Sequence, residues 1–568
     1  MTAYDDKRDL DRAIHAAEAR LTGGISPASL GLAFADWLIH LSGQPGRQLS
    51  LFQQAAHDAA ELTRMVLTLP AETLPPTPGD HRFAAPSWQH GPSALAVQAF
   101  LRAERFWNSA TTNVPGVSRE NERMVNFVAR QLLDMMAPSN YPALNPEVLT
   151  RVQETSGDNL REGARHFIED LRSLGSTTAQ PLPMQPGRDV AITPGAVVFR
   201  NDLIELLQYS PTTETARPEP ILIVPAWIMK YYILDLSPHN SMIKYLVDQG
   251  FTVFTISWRN PDETMRDFTL DDYRVKGVLA ALDAVTAICA APKVHAVGYC
   301  LGGTLLTIAA AAMARDHDDR LATITLLAAQ TDFTEAGELQ LFINESQLAF
   351  LEDAMWAQGY LDTKQMAGAF QMLRANDLVW STLIRRYYLG EEAHPNDMMS
   401  WNQDATRMPY MMHAQYLRGM FLNNDLAEGR FLAGGRKISI ADIHVPMFVI
   451  GTETDHIAPW RSVYKIQQIN PGEITFVLTS GGHNAGVVSE PGHKGRHFCY
   501  SHHRPGDLHV PPEEWHLQAQ CEEGSWWPLW SSWLGERSGA PANPPQLGAP
   551  QGGYPPIEPA PGQYILQR

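Results

Sequence analysis

Cys300 stands in Gly298-Tyr299-Cys300-Leu301-Gly302-Gly303, with a glycine two positions to either side. The hexapeptide closes an apolar run, Val294 to Val297, and opens an Ala-rich one, Leu305 to Ala314. That pattern predicts a strand, a sharp turn carrying the thiol, and a helix. Side chains at the flanking positions would collide with the neighbouring strand or helix, which is why glycines stand there. A thiol so placed suits acyl transfer between thiols as well as hydrolysis. A free thiol with a pKa near ~8.5 is only a few per cent ionised at neutral pH, so it needs a base. Asp455, in Gly451-Thr452-Glu453-Thr454-Asp455-His456, follows the apolar run Met447 to Gly451. His483, in Ser480-Gly481-Gly482-His483-Asn484-Ala485-Gly486, follows Ile474 to Leu478.

Nucleophile, acid, then histidine, each after its own strand, is the order of the α/β-hydrolases, with cysteine here in place of serine at the elbow. The elbow alone also fits a buried structural cysteine. The acid and the histidine at the ends of later strands favour catalysis. His456, adjacent to Asp455, is a rival base, but only His483 follows the final strand. The oxyanion needs two backbone N–H groups. Leu301, the residue after the nucleophile and at a helix N-terminus, supplies one; the helix dipole there also favours thiolate. The second is expected from the loop Pro225 to Asp235, at Ile228, with Trp227 as rival, because Pro225 has no N–H.

These residues need a scaffold. Short apolar runs at Ile221–Val224, Val253–Trp258, Val294–Gly298, Ile324–Ala328, Met447–Gly451 and Ile474–Leu478 alternate with helical periods, as at Asp272–Ala290. Such alternation predicts an α/β fold, a mainly parallel sheet with helices on both faces. A meander (Val190–Ile192, Ala196–Phe199, Ile204–Tyr209) precedes it. Residues 1–185 read as a helical N-terminal domain, with helices over Leu30–Leu41 and Leu51–Leu69 and helical periods from Ser93 to Met136 and Pro146 to Leu174. Gln180 to Gly187, with three prolines, reads as a linker. The core occupies 186–335 and 441–537, interrupted over 336–440 by a helical cap. The interruption and its margins hold nine of the 20 methionines, a pattern that fits a core and also a mobile lid. Residues 538–568, rich in Pro and Gly, read as an extended or disordered tail.

A formal net charge of −18 argues against nucleic acid as the main partner. No apolar run reaches the ~18–20 residues of a membrane span, and the charged N-terminus is no signal peptide, so a cytoplasmic protein is expected. Four cysteines in so long a chain make no disulfide framework, and a reducing compartment suits a working thiol. The segment Pro491 to Val510 holds His493, His497, Cys499, His502, His503 and His509 in no standard ligand spacing; they read as solvated histidines, and no metal site is assigned.

The elbow, Val224 to Leu236 (VPAWIMKYYILDL), Ser257 to Asp262 (SWRNPD), Trp401-Asn402-x-Asp404-x-Thr406 followed by Met408-Pro409, Thr452 to Trp460, Ser480 to Gly486, Trp526-Trp527-Pro528 and Ile557 to Tyr564 together resemble the poly(3-hydroxyalkanoate) synthases. The resemblance runs from about Ser93 onward. Thr269-Leu270-Asp271-Asp272-Tyr273 is similar to class I, short-chain members. The loop PAWIMKYY departs from members that carry a second proline and an asparagine. The resemblance implies an acyltransferase that polymerises (R)-3-hydroxyacyl-CoA with release of CoA. Cys300 would attack the thioester and carry the acyl group, and His483 would take the thiol proton. Asp455 would either orient His483 or help activate the 3-hydroxyl. No cofactor is implied beyond the CoA thioester substrate, and no cofactor-binding residue is assigned. Homodimers through the cap and association with the polyhydroxyalkanoate granule are also implied, with the helical N-terminal region as the candidate for granule or partner contact. The alternative is a cysteine-dependent thioesterase or esterase on the same fold, separated only by access of water to the acyl-enzyme. A non-catalytic granule-binding protein is a third reading, opposed by the intact Cys300, Asp455 and His483.

Overall fold

The computed structural model describes residues 3–77, 80–174, 182–363, 365, 379–392 and 396–568. The N-terminal region is helical: α1 (Ala3–Thr22), α2 (Pro27–Ser42), α3 (Pro45–Val66), α4 (Gly91–Thr111), α5 (Arg119–Met135), α6 (Pro146–Thr155) and α7 (Asp158–Leu174). Starts and stops follow local chemistry. The Ser26 and Ser118 side chains cap α2 and α5 by accepting the N–H of Ser29 and Asn121, and Pro27 fills a first-turn position that needs no N–H. The continuous helical period over Ser93–Met136 is cut at residues 112–118, where Asn113 takes a positive φ.

The core is an eleven-stranded sheet. In chain order its strands are β1 (Gly195–Arg200), β2 (Ile204–Tyr209), β3 (Ile221–Val224), β4 (Val253–Trp258), β5 (Val294–Tyr299), β6 (Leu321–Leu327), β7 (Met447–Thr452), β8 (Ile474–Thr479), β9 (His497–His503), β10 (Gln520–Glu523) and β11 (Glu558–Pro559). Their spatial order is β10-β9-β8-β7-β6-β5-β3-β4-β2-β1-β11. The central run β4-β3-β5-β6-β7-β8 is parallel, and the strands flanking it are antiparallel. β3, β4, β5, β7 and β8 are buried along their whole length, as near-continuous apolar strands covered on both faces must be. Helix α8 (Leu301–Arg315) follows β5 and is buried from Gly302 to Met313, which its Ala-rich, all-round apolar sequence permits. In the cap, α9 (Glu345–Gln358) and α10 (Tyr410–Tyr416) pack on one another and over the sheet's C-terminal edge.

Several expectations are corrected. Val190–Ile192 forms no strand; Val190 makes only an isolated bridge to Pro186. The expected linker begins at Gln180 and Pro181, which lie outside the described residues, as do parts of the cap. Its remainder is docked, with Met184 N–H donating to Ser400 Oγ (3.1 Å). The tail is extended but ordered. β11 pairs with β1 at Ala196 and Val197, Ile565 is buried, and Glu205 accepts the N–H groups of Gln563 and Tyr564. Prolines remove donors but leave carbonyls, and the buried Lys230 Nζ uses those of Tyr564 and Gln567. The cysteine reading is corrected at one pair. Cys499 and Cys521 lie directly opposite one another in the antiparallel β9–β10 ladder and are joined as a disulfide; Cys289 and Cys300 are free. The histidines of that segment are partly strand residues with neighbours of their own. His497 bonds Glu453 (2.9 Å) and His502 bonds Thr475 (2.9 Å).

Candidate active site

β5 delivers the chain into a turn at Cys300 and α8 leads it away. Cys300 has φ 52° and ψ −124°, a conformation that costs a non-glycine residue about 1–3 kcal/mol and that concentrates at functional sites. The turn is tight because its neighbours have no side chains. A Cβ on Gly302 would overlap the Val224 and Pro225 carbonyls, and one on Gly298 would overlap the Gly303 backbone. The Cys300 N–H donates to Leu327 O (2.9 Å), which ties the elbow to β6.

Asp455 follows β7 and His483 opens α11 (His483–Val487) after β8. His483 Nδ1 donates to Asp455 Oδ2 (2.7 Å). The same oxygen accepts from Thr452 Oγ1 (2.8 Å), and Oδ1 accepts from the N–H groups of Ile457 and Ala458 (2.9 Å each). Burial opposes ionisation of Asp455, but the His483 charge and hydrogen bonds outweigh it and hold the carboxyl below its usual range. Burial likewise opposes the imidazolium, yet the charges of Cys300 and Asp455 raise the His483 pKa well above its ordinary value. Tyr299 flanks His483, with its ring 5.8 Å away and its hydroxyl donating to Asn484 Oδ1 (2.5 Å).

Among the described residues no acceptor takes the N–H of Leu301, Ile228 or Trp227. Ile228 borders the cavity that holds Cys300, whereas Trp227 turns into the core against Tyr273 and Tyr416. Thr406 pins this loop from the cap, its N–H donating to Ile228 O (3.2 Å) and its hydroxyl to Trp227 O (2.8 Å).

The cavity above the sulfur is about 150 Å³ and mainly apolar. Phe333, Leu351, Met408 and Phe421 line it, and so do His413 and Tyr416 of α10. So does the α1–α2 turn, Gly23-Gly24-Ile25. Sequence reasoning missed Thr452, His413, Tyr416 and this turn. Thr452 carried a signal, a polar residue ending an apolar strand three positions before the acid. The others lie more than a hundred residues from Cys300 in sequence, and no spacing reveals them.

Comparison with known proteins gives the family of the chain. Residues 6–47 match the family described as poly-beta-hydroxybutyrate polymerase N terminal. Residues 79–246 match the poly-beta-hydroxybutyrate polymerase (PhaC) N-terminus, and residues 219–489 match the alpha/beta hydrolase fold. The chain is 40% identical over 519 residues to a poly(3-hydroxyalkanoate) polymerase of Methylorubrum extorquens, covering 90% of this chain and 85% of that one. It is 37% identical to the poly(3-hydroxyalkanoate) polymerase subunit PhaC of Rhizobium etli, covering 88% of this chain and 78% of that one. The corresponding subunit of Cupriavidus necator is 34% identical, with 95% of this chain and 91% of that one covered. With an α/β-hydrolase core, a helical N-terminal region and relatives matched over most of their length, this chain is an acyltransferase of the poly(3-hydroxyalkanoate) polymerase family.

Proposed function

We propose that the chain polymerises (R)-3-hydroxyacyl-CoA through a Cys300 acyl-enzyme, releasing CoA. The observation that carries this reading is a free Cys300 at a strained elbow on the wall of an apolar cavity, with a buried His483 bonded to Asp455 after the two later strands. His483 takes the thiol proton, and the Cys300 thiolate attacks the thioester carbonyl. The tetrahedral oxyanion is held by the N–H groups of Leu301 and Ile228. Collapse breaks the C–S bond to CoA, which leaves as a thiol with the proton from His483. The 3-hydroxyl of an acyl unit then attacks a thioester, losing its proton to His483; the ester bond forms as the C–S bond breaks, and the departing thiolate takes the proton back from His483. Thiol-to-thiol exchange is nearly balanced in energy, which suits a reversible loading step.

Asp455 is proposed to orient His483 rather than to meet the hydroxyl. Both of its oxygens already accept two hydrogen bonds, and its side chain is fully buried. The apolar cavity wall favours exclusion of water and so polymer over free hydroxy acid. We place the protein in the cytoplasm at the granule surface, as a dimer through the cap, needing no cofactor. Most of the exposed large apolar side chains, among them Phe52, Leu69, Met136 and Leu171, belong to the N-terminal helical region, which supports its granule contact. No helix among the described residues is long and apolar enough to cross a membrane.

The test is CoA release from 3-hydroxyacyl-CoA of graded chain length, with product analysis. Polymer plus CoA is expected, and Cys300→Ala abolishes both. Free hydroxy acid in place of polymer would establish the thioesterase reading, and CoA release by Cys300→Ala would end the mechanism.

A further inference from the structure

Nearly all polar groups on the wall of the Cys300 cavity are committed to the protein. Thr304 Oγ1 donates to Gln330 O (2.8 Å), and Gln330 Nε2 donates to Ser462 Oγ (3.2 Å). Gln347 donates to Gly24 O (2.7 Å) and accepts the Ser26 N–H (2.8 Å). Gln365 Oε1 accepts from Gln358 Nε2 (3.0 Å) and the Asp362 N–H (3.1 Å). His413 differs. It lines the same cavity, is only 5% exposed, and its Nδ1 has no hydrogen-bond partner. That Nδ1 is sealed from the cavity as well as from solvent; Nε2, which is not sealed and has no hydrogen-bond partner among the described residues, is the nitrogen a ligand in the cavity can reach. Tyr416 lies three residues on along α10, and so on the same helix face; the two rings are 6.1 Å apart. Both residues share the cavity wall with Cys300. Burial keeps the His413 imidazole neutral, its pKa pushed down to about 3. A neutral Nε2 donates or accepts one hydrogen bond according to its tautomer, and a hydroxyl group can answer either.

We propose that His413, with Tyr416 beside it, binds the 3-hydroxyl of the acyl group on Cys300 and so selects 3-hydroxyacyl thioesters over plain acyl thioesters. The inference rests on the reading of Cys300 as the acyl-carrying nucleophile. The 3-hydroxyl stands two carbons from the attacked carbonyl and therefore enters the cavity just beyond the sulfur. There the other polar side chains named above are already bonded. A site built to bond a hydroxyl rejects the analogue lacking it more strongly than an apolar wall rejects an added hydroxyl.

The experiment compares CoA-release rates of the full-length enzyme with 3-hydroxybutyryl-CoA and with butyryl-CoA, the first turnover being read in both. The wild type is expected to prefer the hydroxylated thioester by ~10-fold or more. His413→Phe loses that preference by slowing on 3-hydroxybutyryl-CoA while its butyryl-CoA rate holds. His413→Gln, which keeps a donor and an acceptor, retains part of the preference. A wild type without preference overturns the proposal, as does a His413→Phe enzyme that keeps the ratio or slows equally on both. If His413→Phe fails to fold, His413→Gln against His413→Leu decides on the same ratio, and equal ratios overturn the proposal. If the wild type releases CoA from neither thioester, the nucleophile assignment falls, and this inference with it.

Discussion

Asp455 holds four hydrogen bonds in a site from which water is excluded, and its charge is what His483 answers. The lowered carboxyl and raised imidazole pKa values define a pH window for the pair. A depressed carboxyl contributes stability above its unfolded pKa, near ~3.9, and loses that contribution as pH falls through the folded value. A raised imidazole contributes fully below its unfolded pKa, near ~6.5, and loses that contribution as pH rises through the folded value. Both charges therefore stabilise the fold together between those limits. Asp455→Asn leaves the buried imidazole without its counter-charge, and breaking a buried pair costs about 3–5 kcal/mol. The melting-temperature gap between wild type and Asp455→Asn should be widest near pH 5–6, by the same linkage, and should narrow toward both extremes. A gap that grows steadily from acid to alkali would contradict the pairing. The three residues were legible in the sequence because each follows a strand in a glycine-bearing turn. The Ile457 and Ala458 amides, which help fix the carboxylate, were not, because backbone donors leave no trace in residue types.

At the level of elements, the elbow is held by what its glycines lack. Gly302 faces the Val224 and Pro225 carbonyls so closely that even a methyl group must push β3 and α8 apart. Gly302→Ala is expected to destabilise the fold by about 1–3 kcal/mol, the usual cost of overpacking, and to reduce CoA release further than the stability loss explains. Denaturant melts beside initial rates check this; full activity with unchanged stability would refute it. The central parallel strands were readable as apolar runs, since burial on both faces leaves only one pattern. β9 was not readable, because its histidines and tyrosine disguise a strand whose two buried residues, Phe498 and Cys499, pack on opposite faces of the sheet. Nor was β11, since a proline-rich tail gives no periodicity and is held by Glu205 and Lys230, more than 300 residues away in sequence.

Across the whole molecule, the N-terminal helices do more than cover the core. The α1–α2 turn reaches over the cap and puts Gly23, Gly24 and Ile25 on the wall of the Cys300 cavity. α9 holds it there: His15 bonds Asp353 (2.7 Å), Asn344 Nδ2 donates to Ser29 Oγ (2.7 Å), and Gln347 bonds both Gly24 and Ser26. A cavity whose wall comes from the start of the chain, the cap and the sheet is sealed only when all three are docked. Gln347 is the narrowest link, because one side chain satisfies a donor and an acceptor of the turn. Gln347→Ala leaves both unpaired, at about 1–3 kcal/mol for the buried Ser26 N–H and less for the half-buried Gly24 carbonyl, and so loosens the turn from α9. Loosening admits water to the acyl-enzyme, where water and the 3-hydroxyl compete for the same carbonyl. The expected outcome is a shift of product from polymer toward free 3-hydroxy acid, with CoA release much less affected, and the same shift in a chain lacking residues 1–26. Product ratios from matched CoA release measure it. An unchanged ratio in both proteins would show that the turn only decorates the cavity and that the cap alone keeps water out.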